Sequence, residues 1–174
     1  MALVVLLRGV NVGGHKTFRP TVLARHLKDF GAVNIGAAGT YVIRKPTTRG
    51  PLRAELRRRL PFDTEIVMCD GKELLGIMAD NPFGDQPERP DIVHFVSVLS
   101  RRPRSEPALP ISYPPDGMWL VRILARKDRF VFGQYRRHMK TIGYLGQIDR
   151  LYDVPLTTRN WNTITAIAKV VGSV

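Results

Sequence analysis

At 174 residues, 44% of them hydrophobic and 24% charged, the chain has an ordinary globular composition and enough length to bury one core or two small ones. No apolar run nears the roughly 20 residues that cross a bilayer, and the first run lacks the basic start and cleavage site of a signal peptide. The single cysteine, Cys69, allows no intrachain disulfide, so a reducing cytoplasmic home with no membrane partner is expected.

The net charge of +12 admits nucleic acid or an acidic ligand as a partner. However, 20 of the 27 basic residues are arginine, scattered from Arg8 to Arg159, and an arginine-rich composition gives the same total.

The chain opens with an apolar strand, Leu3 to Leu7, then turns at Arg8-Gly9 into a loop rich in glycine and asparagine. Thr17 is the expected N-cap of a first helix over 18–30, where Leu23, Leu27 and Phe30 recur at helical spacing and Gly31 supplies a left-handed C-cap. Extended pieces follow at Val33–Gly36 and Thr40–Ile43. Leu52, Leu56 and Leu60 then predict a helix that Pro61 stops. A strand over Glu65–Cys69 points Cys69 into the core. Asp70 and Glu73 form a capping box for a short helix ending at Asn81-Pro82-Phe83-Gly84.

The polar stretch Asp85–Pro90 is the expected boundary between subdomains at 1–84 and 85–174. Ile92–Leu99 alternates as a strand, and the proline-rich Ser100–Pro115 reads as an exposed connection. Met118–Ala125 and Arg129–Gln134 are expected strands, joined by an Arg126-Lys127-Asp128 hairpin loop. Tyr135–Asp153 fits no element. Thr157–Asn160 is expected to cap a last helix carrying Trp161, Ile164, Ala168 and Val171. Helical crossovers between strands predict an α+β fold: two linked ferredoxin-like, two-layer sandwich subdomains of the α/β-plait type, the second smaller.

Candidate sites concentrate in the loop after the first strand. Gly9 and Gly14 have the separation of a phosphate-binding P-loop, but His15 intervenes before Lys16-Thr17, which excludes that motif. A more general anion site remains, with amides and charge from Gly13, Gly14 and Lys16, and with Arg8, Asn11 and Arg159 orienting the ligand. The bland alternative is that the glycines only turn the chain and Asn11 only caps it. If the chain is an enzyme, His15 is its nearest acid–base group.

A second candidate surface is basic and aromatic: Arg122, Tyr135, Arg136, Arg137 and Lys140 could hold phosphates and stack bases. Arg129-Phe130-Val131-Phe132-Gly133 has the ingredients of an RNA-binding strand but not their order. The four histidines lack metal-ligand spacing, and neither a metal nor a cofactor is expected.

Three stretches carry a family resemblance. Leu6-Leu7-Arg8-Gly9-Val10-Asn11-Val12-Gly13-Gly14 resembles the opening signature of the bacterial DUF1697 proteins, Asn81-Pro82-Phe83 a short motif after their third helix, and Thr157–Thr163 their C-terminal signature. The resemblance implies two linked α/β-plait subdomains and no established activity, cofactor or substrate. Two places depart from it: Ala37-Ala38-Gly39-Thr40 stands where the family usually has a Ser-Gly-Asn turn, and Tyr135–Arg150 lacks the usual serine-containing basic pattern.

Overall fold

The computed structural model describes residues 1–12, 14–84 and 89–173. It is α+β and divides into two compact units, Met1–Asp80 with Asn162–Val174, and Asn81–Trp161. The expected boundary stretch at 85–88 lies outside the described residues.

In the first unit, β1 (Leu3–Leu7), β2 (Ala32–Ile35), β3 (Thr40–Ile43) and β4 (Ile66–Asp70) form an antiparallel sheet of order β2-β3-β1-β4. With α1 (Pro20–His26) after β1 and α2 (Arg49–Arg59) after β3, this is the βαββαβ order of an α/β plait. Leu3, Val5 and Leu7 pack with Tyr41, Ile43, Ile66 and Met68 against Leu23, Leu27, Leu52, Leu56 and Leu60. The alternate residues Val4, Leu6, Val42, Val67 and Cys69 are equally buried. A central strand with both faces covered needs an unbroken apolar run rather than alternation, which is what Leu3–Leu7 supplies.

The first helix is shorter than expected. Arg19, not Thr17, is its N-cap, with φ −99 and ψ 105, because Pro20 pushes the preceding residue into extended geometry. The helix ends at His26, and the rest of the expected segment is a 3₁₀ turn, Lys28–Phe30, closed by Gly31 at φ 67. Asp70 and Glu73 form the expected capping box of α3 (Gly71–Ala79), the Glu73 carboxylate accepting the Asp70 N–H at 2.7 Å.

The second unit is built on a five-stranded antiparallel sheet of order β6-β7-β8-β5-β9: β5 (Ile92–Leu99), β6 (Ile111–Tyr113), β7 (Val121–Lys127), β8 (Phe130–Arg136) and β9 (Leu156–Asn160). Phe95, Leu99, Val121, Ile123 and Val131 pack on one face with Ile148 and Tyr152, which come from α5 (Gln147–Tyr152).

Four expectations are corrected here. The proline-rich connection contains β6, a three-residue edge strand between Pro110 and Pro114, where prolines limit further pairing. The β7–β8 turn falls at Asp128-Arg129, with Asp128 at φ 51, and Arg126 and Lys127 remain in the ladder. Tyr135–Asp153 holds the end of β8, α5 and a short α4 (Thr141–Leu145). Thr157–Asn160 is not a cap but strand β9, paired with β5, and α6 (Trp161–Val171) begins directly after it. The β-branched threonines suit a strand, and Thr158 spends its hydroxyl on Ser97 across the ladder at 2.6 Å.

Candidate functional site

The loop leaving β1 is pinned at its root by backbone bonds. Leu7 N–H donates to Gly39 C=O at 2.8 Å and Arg8 N–H to Glu65 C=O at 3.1 Å. Arg8 C=O accepts the Thr64 hydroxyl at 2.5 Å. Val10 turns back into the core. It passes so close to Gly39 that a Cβ there would lie 2.7 Å from the valine Cγ2 and 2.8 Å from Leu7 Cβ. Only glycine fits that crossing.

Asn11 then organises the rest. Its Nδ2 donates to Ala37 C=O at 2.9 Å, its Oδ1 accepts Phe18 N–H at 3.0 Å, and its own N–H donates to Lys16 C=O at 3.2 Å. One side chain therefore ties the loop to the β2–β3 turn and to the approach to α1. Inside this bracket His15 N–H donates to Val12 C=O at 3.0 Å. Asn11 and Lys16 stand in the left-handed region at φ 55 and 47. Asparagine tolerates that region, but an aliphatic side chain there costs about 1 kcal/mol. Gly14, His15 and Lys16 are exposed and Arg8 is half-buried, while Gly13 lies outside the described residues. α1 contributes little to an anion site, being seven residues long and opening on Pro20, which has no donor.

Arg159 belongs to the second unit. It is buried, and its Nη1 donates to Thr157 Oγ1 at 2.7 Å and to Thr158 C=O at 2.9 Å. Burial pulls its guanidinium down to about 10. Such an arginine braces β9 from inside its own unit.

The basic-aromatic candidates also lie in the second unit, and a residue that sequence reasoning passed over gathers two of them. The guanidinium carbons of Arg122 and Arg136 lie over the Trp119 ring, 4.4 and 4.3 Å from its centre. Arg122 also donates to Gln134 at 2.9 Å, its cross-strand partner, and Arg136 pairs with Asp91 at 3.3 Å. Arg137 donates to Pro90 C=O at 3.1 Å, and Lys140 is exposed. Tyr135 packs against Phe95, ring centres 5.9 Å apart. The β7–β8 register could have located the Arg122–Gln134 pair in the sequence. Nothing in the sequence marks Trp119.

Sequence reasoning also missed a cleft beside the loop, ≈ 260 Å³ in volume, lined by Arg57, Leu60, Pro61, Phe62, Asp63, Thr64 and Ile66. It shares Thr64 with the root of the loop, and Phe62 meets Phe18 edge-on at 5.8 Å. Its only sequence signal was the apolar Leu60-Pro61-Phe62 that ends α2. Among the described residues, no three His, Cys, Asp or Glu side chains come together as a metal site, and no helix is long and apolar enough to cross a membrane.

Residues 1–118 match a family described as a protein of unknown function, DUF1697. The chain belongs to the DUF1697 family. The matched region takes in the whole loop and Asn81-Pro82-Phe83, and it ends before Thr157–Thr163. Among solved structures, this DUF1697 chain is similar to the conserved bacterial protein SP0830 from Streptococcus pneumoniae, at 13% identity with a TM-score of 0.63, covering 98% of both chains. At that identity the likeness speaks for the fold. No curated protein matches the sequence.

Proposed function

We propose that this DUF1697 chain is a cytoplasmic binding module for an anionic small molecule or a phosphate-bearing partner, taken up at the loop after β1. One observation carries the reading: the Asn11 side chain ties the loop to Ala37 of the β2–β3 turn at 2.9 Å and to Phe18 at 3.0 Å, which supports His15 and Lys16 being presented from a built scaffold rather than a slack connection. A surface loop fixed this way offers amides and a cation without the ordering cost that a free loop incurs on binding. Lys16 supplies the charge and Gly14 lets an anion approach the backbone closely; Arg8, half-buried at the root, adds positive potential.

Nucleic acid fits less well. The one aromatic of that candidate set, Tyr135, packs against Phe95, and Asp91 offsets Arg136.

The test is a titration of the chain with inorganic phosphate, followed by heteronuclear NMR or calorimetry. Lys16→Ala, a change at an exposed position, is expected to weaken phosphate at least fivefold with an unchanged melting temperature. Equal affinity in the variant and the parent contradicts the proposal.

A further inference from the structure

The cleft at the end of α2 makes a second site, and it does not depend on the loop reading. Helix α2 carries arginines at 49, 53, 57, 58 and 59, and Arg49 pairs with Asp70 at 3.2 Å. Arg53 donates to Ile66 C=O at 2.7 Å, and Arg58 and Arg59 both grip Glu55, at 2.7 and 2.6 Å. Arg57 alone of the five is without a hydrogen bond or ion pair among the described residues, and it is the one that lines the cleft.

Opposite in charge, Asp63 lines the same cleft, and no ion pair joins the two. Leu60, Pro61, Phe62 and Ile66 line it as well. Thr64 donates its hydroxyl hydrogen to Arg8 C=O and keeps an acceptor.

We infer that this cleft binds a small aromatic carboxylate that also carries a hydrogen-bond donor. A planar guanidinium fork matches a carboxylate bidentately. The apolar walls suit one ring: ≈ 260 Å³ exceeds the roughly 150 Å³ that accepts benzene in an apolar cavity. Asp63 repels a dianion such as phosphate and accepts from a hydroxyl or amine on the ring. Charge, shape and donor pattern thus select one chemical class.

Titration of the whole chain with 4-hydroxybenzoate, benzoate and acetate, read by amide chemical shifts, tests this. 4-Hydroxybenzoate is expected to move the amides of Phe62, Asp63, Thr64 and Ile66 saturably, and acetate is not. Arg57→Gln, an exposed change, is expected to weaken 4-hydroxybenzoate at least tenfold. Asp63→Asn is expected to bring its preference over benzoate to within twofold. The inference is overturned if ring carboxylates leave the cleft amides unmoved at millimolar concentration, if acetate binds there as well as they do, or if Arg57→Gln binds like the parent.

Discussion

Asn11 fixes the loop in three ways: its side chain donates to one segment and accepts from another, and its own backbone is held left-handed. Asn11→Ala removes two hydrogen bonds, one exposed and one partly shielded, and puts a Cβ-only side chain at positive φ. Each bond is worth about 1 kcal/mol, so the melting temperature is expected to fall by about 4–8 °C, with phosphate affinity falling in parallel. A glycine makes the complementary case in the second unit. A Cβ at Gly133 would lie 2.4 Å from Phe95 Cζ and 2.6 Å from Arg122 C=O, and the carbonyl cannot swing away without breaking the ladder. Gly133→Ala is expected to destabilise by about 1–3 kcal/mol in a denaturant melt. A variant as stable as the parent would mean that the strands part more easily than their register implies.

Among elements, α2 shows how one carboxylate organises a basic helix. Arg58 and Arg59 hydrogen-bond to Glu55 and hold its carboxyl down to about 2, from an ordinary 4.5. The stabilisation is complete above pH 4.5 and is lost as pH falls from about 4.5 to 2, since the unfolded chain takes up the proton first. Glu55→Gln is expected to flatten the acid limb of melting temperature against pH in that window and to leave the slope above it unchanged.

Elements that rest on local signals were legible from the residues alone. Leu3–Leu7, the Asp70/Glu73 box, Ile92–Leu99 and the left-handed Gly31 all stand as read. Where the structure departs, long-range pairing decides. Thr157–Asn160 looks like a cap to its neighbours, but β5 makes it a strand. Ile111–Tyr113 is too short to announce itself between prolines and exists because β7 offers it an edge. The site followed the same rule. The loop was visible as a glycine-rich sequence, but its bracing partner, Ala37, and its neighbouring cleft come from segments distant in the chain.

At the scale of the molecule, the net charge of +12 sits on a chain whose arginines are largely occupied with its own structure. Arg53, Arg58, Arg59, Arg122, Arg136, Arg137 and Arg159 all hold partners within the chain. The charge total is therefore a poor guide to binding. The exposed Lys16 and Arg57, which has no ion pair among the described residues, are better ones, and both lie in the first unit.

The most direct measurement is a phosphate titration of the isotope-labelled chain, read residue by residue at low ionic strength. The expected result is a saturable shift of the Gly14, His15 and Lys16 amides, lost in Lys16→Ala, with the Arg122–Lys140 region unmoved. Shifts confined to Arg122–Lys140, or spread evenly over every exposed arginine, would contradict a built anion site at the loop.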